Sequence, residues 1–223
     1  MMSSQDVVIA VDIGTSGARA VLFDTLARPL MQVRQPYPLA HPQPGWSEQD
    51  ADQVAGAVID VLKQAVATLP ADTHLAGVVL SSQMYSILAL DHSGKPLSPS
   101  LTWGDTRSAV EANVLRSSAS ATLVQRTGCP IQAIYPLAKI CWLKTHLDLP
   151  TGTRFCVWDD EALALCRITP DTLAELVSTR HIVRSWRPDV SQHTGLPAAT
   201  PLIVGAGDAP LANIGVGAVS PGT

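Results

Sequence analysis

The 223 residues carry 15 Lys and Arg against 19 Asp and Glu, a formal charge of −4, and 46% hydrophobic side chains. That composition builds one large or two small globular domains with a real core and excludes a disordered tail. A pI near 5.8 offers no basic field to a phosphate backbone, which excludes nucleic acid as an expected partner.

Residues 1–6 contain no Lys or Arg and run straight into strand-like sequence, so no secretion signal is expected and the cytoplasm is the default location. Three tightly joined strands are expected at residues 7–12, 18–24 and 29–35, a β-meander with Gly14 and Gly17 in its first turn. The proline-rich stretch 36–44 resists both helix and ladder. From 50 to 69, Val54, Val58, Val61, Leu62, Ala65 and Leu69 recur at helical spacing and set one oily face on a sheet, with Ser47 or Asp50 as the cap. Residues 75–80 form a continuous apolar run; like 7–11, it is far short of the roughly 20 residues that cross a bilayer, so a soluble protein with no membrane partner is expected. A second run at 87–90, after a polar break, reads as a buried strand interrupted by a kink. A turn is expected at 91–96, a short strand at 101–103, and a helix at 109–116 with Asp105 as its N-cap. Further helices are expected at 121–126 and 137–146, a strand at 155–158, helix from 160 to about 176, a loop around 188–201, and a closing strand at 202–204 before a glycine-rich tail. Cys129, Cys141, Cys156 and Cys166 show neither Cys-x-x-Cys nor zinc-finger spacing and read as buried small hydrophobes.

Three clusters carry candidate chemistry. Asp12-Ile13-Gly14-Thr15-Ser16-Gly17-Ala18-Arg19 ends a strand in a tight turn with glycine N–H groups, two hydroxyls and a guanidinium, all of them phosphate ligands. Asp12 at the strand end suits Mg²⁺ held through water; an ordinary glycine-rich hairpin is the other reading, because the segment is neither a Walker A loop nor Gly-x-Gly-x-x-Gly. At Gly205-Ala206-Gly207-Asp208-Ala209-Pro210 an apolar strand stops and a lone carboxylate follows. Asp208 suits a base that accepts a hydroxyl proton during phosphoryl transfer, and it equally suits a helix N-cap. Gln83, Met84 and Tyr85, with Trp103, Asp105 and Arg107, combine bidentate hydrogen bonders, flat apolar faces and a cation, as a polyol or sugar acid requires. The alternative there is a capping Asp beside a surface Arg and a core Trp.

In order, VVIAVDIGTSGARAVLFD, GWSEQD, VVLSSQMYSILALDHSGKPLSPSLTWGDTRS, TGCPIQAIYPLAKICWLK and PLIVGAGDAPLANIGVGAVSPGT resemble the blocks of the FGGY family of carbohydrate kinases over most of the chain. Gluconokinase-like members look nearest, with the xylulokinase-like branch next. The resemblance implies an α/β fold, a ribonuclease H-like (actin/hexokinase-type) domain whose mixed sheet is flanked by helices, incomplete in this chain. It implies ATP-dependent phosphoryl transfer to a hydroxyl of a sugar, polyol or aldonate, gluconate-like substrates ahead of xylulose-like ones. Asp12, Gly14, Thr15, Ser16 and Arg19 would face the nucleotide phosphates and Mg²⁺, with no metal site made by the protein alone. Gln83, Met84, Tyr85, Trp103, Asp105 and Arg107 would contact the sugar, and Asp208 would be the general base. Tyr85 stands where xylulokinases commonly carry His, which with Arg107 nearby points to an acidic substrate or a polyol other than xylulose.

Two departures from the family accompany these matches. Relatives continue past a segment like 220–223 into a second domain with the other phosphate loop and the adenosine pocket. Residues 1–202 are therefore expected to be the sugar-binding domain and 203–223 the start of a nucleotide domain. Relatives also place a helix and further strands between segments like 155–157 and 158–163, which abut here. An internal deletion near 157–158 is expected, with an unpaired sheet edge and weak stability or aggregation as its consequence. A homodimer or a separately encoded C-terminal half would supply the missing adenosine site. The alternative, and the expectation for these 223 residues in isolation, is an inactive truncated remnant or a sugar-binding module. An actin-like or chaperone-like ATPase is disfavoured because it has no use for the constellation from Gln83 to Arg107.

Overall fold

Alternation of Val7, Ile9 and Val11 sends every second side chain of β1 (Gln5–Ile13) to one face, where all three are buried. Antiparallel β2 (Gly17–Asp24) sets Ala18, Ala20 and Leu22 on the same buried face, and β3 (Pro29–Pro36) extends the meander. After β4 (Glu48–Gln49), the helix α1 (Ala51–Ala67) lays Ala57, Val61, Leu62 and Ala65 on that face; alanines on both sides let helix and sheet approach closely. The chain returns as β5 (Thr73–Ser82), parallel to β1.

The computed structural model, a single chain, describes residues 5–119, 122–155, 177–218 and 220. The expected helix at 160–176, most of the strand at 155–158, Cys156, Cys166 and the deletion expected near 157–158 lie outside the described residues. The remaining elements are β6 (Ser100–Leu101), α2 (Ala109–Ser118), α3 (Leu123–Thr127), α4 (Pro136–His146), β7 (Ile182–Val183), α5 (Pro188–Thr194), β8 (Leu202–Gly207) and α6 (Asp208–Gly215). Among the described residues no helix is long and apolar enough to cross a membrane.

The chain divides into two compact units. The first takes the described residues of 1–38, 53–84 and 177–223 and contains a six-stranded mixed sheet, in the order β3-β2-β1-β5-β8-β7. The second takes the described residues of 39–52 and 85–176, with the two-stranded β4-β6 sheet and helices α2, α3 and α4. Its apolar clusters gather Ile87, Leu101, Ile140, Leu143 and Phe155 on one side of α4, and Leu115, Leu123, Ile131 and Ala138 on the other.

Several expectations change. The domain boundary expected at 203 does not fall there, because β8 pairs in parallel with β5 inside the first sheet, Val79 with Ile203 and Ser82 with Gly207. The outer side of β8 is not bare either: β7 pairs with it, and Val204 and Gly205 donate their N–H groups to the carbonyls of His181 and Thr179. The run at 87–90 is no strand; Ile87 and Leu90 make only single bridges, because the turn at Asp91–Lys95 and the prolines at 96 and 99 leave no length for a ladder. Asp105 does not cap α2, which Ser108 precedes, and Ser47 is buried away from the start of α1; the two bond to each other instead. The loop expected at 188–201 opens with α5, signalled by Pro188 in its first turn and Gly195 just past its end.

Candidate functional site

The first unit gathers its polar candidates at one end of the sheet. Ile13 of β1 stands beside Ser82 of β5, and Ser82 beside Gly207 of β8, so three parallel strands end side by side. Asp12 lies one residue before that line and Asp208 one residue after it, two strand spacings apart, or about 10 Å measured across the sheet. Glycines let the strands meet closely: a side chain at Gly205, where φ is +73°, would lie 1.7 Å from the Leu80 carbonyl oxygen. A Cβ at Gly207 would meet Met84 Cγ at 2.5 Å, so Met84 rests directly on the residue before Asp208.

Between β1 and β2 the Gly14 N–H donates to the Gly17 carbonyl at 3.1 Å and closes the hairpin. Arg19, the cross-strand partner of Asp12, donates to its carboxylate at 2.9 Å, and Ser81 Oγ donates to the other carboxylate oxygen at 3.3 Å. Thr15 Oγ1 donates to Gln83 Oε1 at 3.2 Å and ties the hairpin to the end of β5. The Ser16 hydroxyl accepts from Arg34, which is Arg19's cross-strand neighbour on β3 and so places a second guanidinium beside the turn. Tyr37 donates its phenol to the Gly14 carbonyl at 2.6 Å; burial first, and the Asp12 charge second, push its pKa up to about 12, so it remains a donor at any physiological pH. Asp208 is exposed in the first turn of α6, where its carboxylate accepts the Ala209 N–H. Asp208 is not the helix N-cap that the sequence allowed, since the residue at that position is Gly207.

The second unit is built in the opposite manner. Asp105 is fully buried; its carboxylate accepts the Ser47 N–H at 2.7 Å and both the backbone and the side chain of Arg107. Arg107 also pairs with Glu48, and its guanidinium carbon lies 3.7 Å over the Trp46 ring and 5.0 Å from that of Trp142. Thr102 and Ser47 share hydroxyl and backbone bonds beside this pair. The sequence assigned Asp105 and Arg107 to substrate contact; the structure shuts both in with each other and with Glu48. Trp103, by contrast, is 52% exposed. Tyr85 sits in the left-handed region at φ 62°, a conformation that costs a non-glycine residue on the order of 1–3 kcal/mol, and packs edge-on against Tyr135 at 4.7 Å.

The division between units passes between Met84 and Tyr85. Asp12, Gly14, Thr15, Ser16, Arg19, Gln83, Met84 and Asp208 therefore meet in the first unit, and Tyr85, Trp103, Asp105 and Arg107 belong to the second. Among the described residues no three His, Cys, Asp or Glu side chains form a metal cage.

The profile of the FGGY family of carbohydrate kinases, N-terminal domain, matches residues 7–149 and 154–215. The chain belongs to this family. The gluconokinase of Bacillus subtilis strain 168 is 29% identical over 250 residues, covering 96% of this chain and 48% of the relative. A xylulose kinase of Klebsiella pneumoniae is 27% identical over 248 residues, covering 96% and 51%. The crystal structure of gluconate kinase from Lactobacillus acidophilus superposes with a TM-score of 0.88 at 23% identity, over 96% of this chain and 50% of that one. FGGY kinases have the ribonuclease H-like fold of actin and hexokinase, and the mixed sheet with flanking helices is that fold. The chain spans about half the length of the curated relatives it matches. The matched stretch of 250 residues also exceeds this chain's own 223, so the relative carries residues inside it that this chain lacks.

Sequence reasoning missed three residues of this FGGY scaffold. Arg34 and Tyr37 carry no motif signal, because only cross-strand register brings them to the hairpin. The third, Lys139, is entirely buried, and its ammonium donates to the carbonyls of Thr102 at 2.7 Å, Ile134 at 2.7 Å and Tyr85 at 3.1 Å. A signal existed: Lys139 falls on the apolar face of α4 with Ala138, Ile140 and Leu143, where a solvated lysine has no place.

Proposed function

We propose that this chain carries the acceptor-binding and general-base half of an ATP-dependent carbohydrate kinase. The observation that carries the reading is the register of β1, β5 and β8, which sets the Asp12 hairpin, Gln83, Met84 and Asp208 around one sheet end in an FGGY chain. FGGY kinases use ATP. The hairpin suits its phosphates: two hydroxyls and two guanidiniums stand beside a single partly exposed carboxylate. Mg²⁺ takes one or two carboxylates and completes its shell with water and phosphate oxygens, which fits Asp12 better than a full protein cage would. Bound there, the ion would neutralise charge on the phosphates.

The chain's own residues then divide the remaining steps. In the first unit, Gln83 and Met84 would meet the acceptor's polar and apolar sides. In the second unit, the exposed face of Trp103 suits a sugar's C–H groups. Asp208 accepts the proton of the attacking hydroxyl. Gluconate is the first substrate to test and xylulose the second, supported by likeness to gluconokinases and by Tyr85. Because Arg107 is committed to Asp105 and Glu48, an aldonate carboxylate would take its positive partner from elsewhere. The adenosine site would come from a second copy or from a separate C-terminal half.

The test is ATP consumption with gluconate, xylulose, ribulose and glycerol, with Asp208→Asn as the control. Sugar-dependent turnover that Asp208→Asn loses supports the reading. A folded chain that binds sugar yet turns nothing over supports the second reading, a sugar-binding module.

A further inference from the structure

A lysine ammonium is among the most strongly hydrated side-chain groups, and burying one is unfavourable unless every donor is met. Lys139 is 0% exposed and has its three donors met by three carbonyls from three separate segments: the loop after β5, the loop after β6 and the approach to α4. Each of those carbonyls belongs to an aromatic residue or immediately precedes one. Tyr85 accepts directly, Thr102 precedes the exposed Trp103, and Ile134 precedes Tyr135, whose ring meets that of Tyr85. Tyr85 is held in the left-handed conformation at the same point.

We propose that Lys139 is a positioning residue for the sugar: it joins three loops from beneath and thereby fixes Tyr85, Trp103 and Tyr135 as one aromatic platform for the acceptor. The proposal rests on the carbohydrate-kinase reading above. It adds Tyr135 to the acceptor site and gives the unusual backbone of Tyr85 a cause. Aromatic faces recognise the C–H side of a sugar only when their mutual angles are set in advance, since a platform that must order itself on binding loses affinity. A hydrophobic side chain at 139 could fill the same volume, but it would take the ammonium donor from all three carbonyls, that of Thr102 keeping the Asp105 N–H, and would release the tie between the three loops at once.

The test is sugar affinity on the full chain by titration calorimetry, with gluconate and then xylulose as probes. The variants are Lys139→Met and, as a control for loss of one positive charge, Lys63→Met on the exposed side of α1. Wild type and Lys63→Met are expected to bind alike, and Lys139→Met, shown folded by circular dichroism, to bind roughly tenfold more weakly or worse. Equal affinity in Lys139→Met overturns this proposal and leaves the kinase reading intact; absence of any sugar binding by the wild type overturns both.

If Lys139→Met does not fold, the wild type supplies the answer through pH. Burial pulls the Lys139 pKa from 10.5 down to about 8; Asp105 opposes that shift and Arg107 adds to it. Losing the proton leaves two donors for three carbonyls, so sugar affinity is expected to fall between about pH 7 and 9, below the tyrosine range. Lys139's contribution to stability runs the other way, because the unfolded chain keeps its proton to higher pH than the folded one. A lysine that only supports the fold moves the melting temperature alone, so flat affinity across that window overturns the proposal.

Discussion

Asp208 in the first unit and Arg107 in the second are both charged residues that the sequence marked as candidates, but one stands exposed at the start of α6 and the other is buried between two tryptophans and two carboxylates. The contrast extends to their neighbours. In the first unit Asp12, Arg19 and Asp208 are placed by strand register and remain accessible. In the second, Asp105, Arg107 and Lys139 are shut in, each with at least two polar partners. Groups that meet phosphate or donate to a reacting atom have to be reachable. Groups that set the angle of a loop gain from exclusion of water, where each bond is stronger and each loss is costlier. On the proposed reading, accessibility marks the residues that would do chemistry, and burial marks those that would hold it in place.

The strongest way to break that contrast is Arg107→Met, which leaves Asp105 and Glu48 without their cation. It is expected to destabilise the protein by about 3–5 kcal/mol in urea titration. A change below 1 kcal/mol would mean the buried network does not hold the second unit. Asp208→Asn should do the reverse. Any turnover the chain supports is expected to fall by about 10²–10⁴-fold with the melting temperature unchanged, since the carboxylate is exposed and, among the described residues, accepts only the adjacent N–H. Tyr37→Phe sharpens the boundary between the classes: it removes one bond to the hairpin carbonyl of Gly14 and is expected to cost about 1 kcal/mol of stability. Arg19→Ala is the smallest effect, below about 1 kcal/mol and vanishing in high salt, because its pair with Asp12 is open to solvent.

What the sequence made legible follows the same line. The meander, α1 and the strand before Asp208 were readable because their side chains alternate or recur locally; the ends of the meander strands and α1 fall within a residue or two of expectation, while the last strand starts where expected and runs three residues further, to Gly207. The motif residues of the first unit needed only those strands to be located. Asp105 was misread because Asp-Thr-Arg-Ser before a helix is a plausible local cap, whereas Ser47, 58 residues away, claims its carboxylate. Lys139 was passed over for a related reason. Its carbonyl partners at 85 and 102 lie far off in the chain, and a lysine in a helix normally faces water. Local periodicity reports elements, and only the tertiary fold reports which polar residue is enclosed.

The pairing of β8 with β5 bears on how the protein is made. β5 ends at Ser82 and β8 begins at Leu202, and the larger segment of the second unit, 85–176, is translated between them. At a synthesis rate of about 5–20 residues per second, a sheet started by the first hairpin waits on the order of ten seconds for the strand that seals its middle. During that interval the open side of β5 presents unpaired N–H and C=O groups along an apolar strand, the kind of edge that recruits a neighbouring nascent chain. Asp208 arrives at the end of that same late strand, so a polypeptide interrupted before Leu202 would be both adhesive and without the carboxylate proposed as its base.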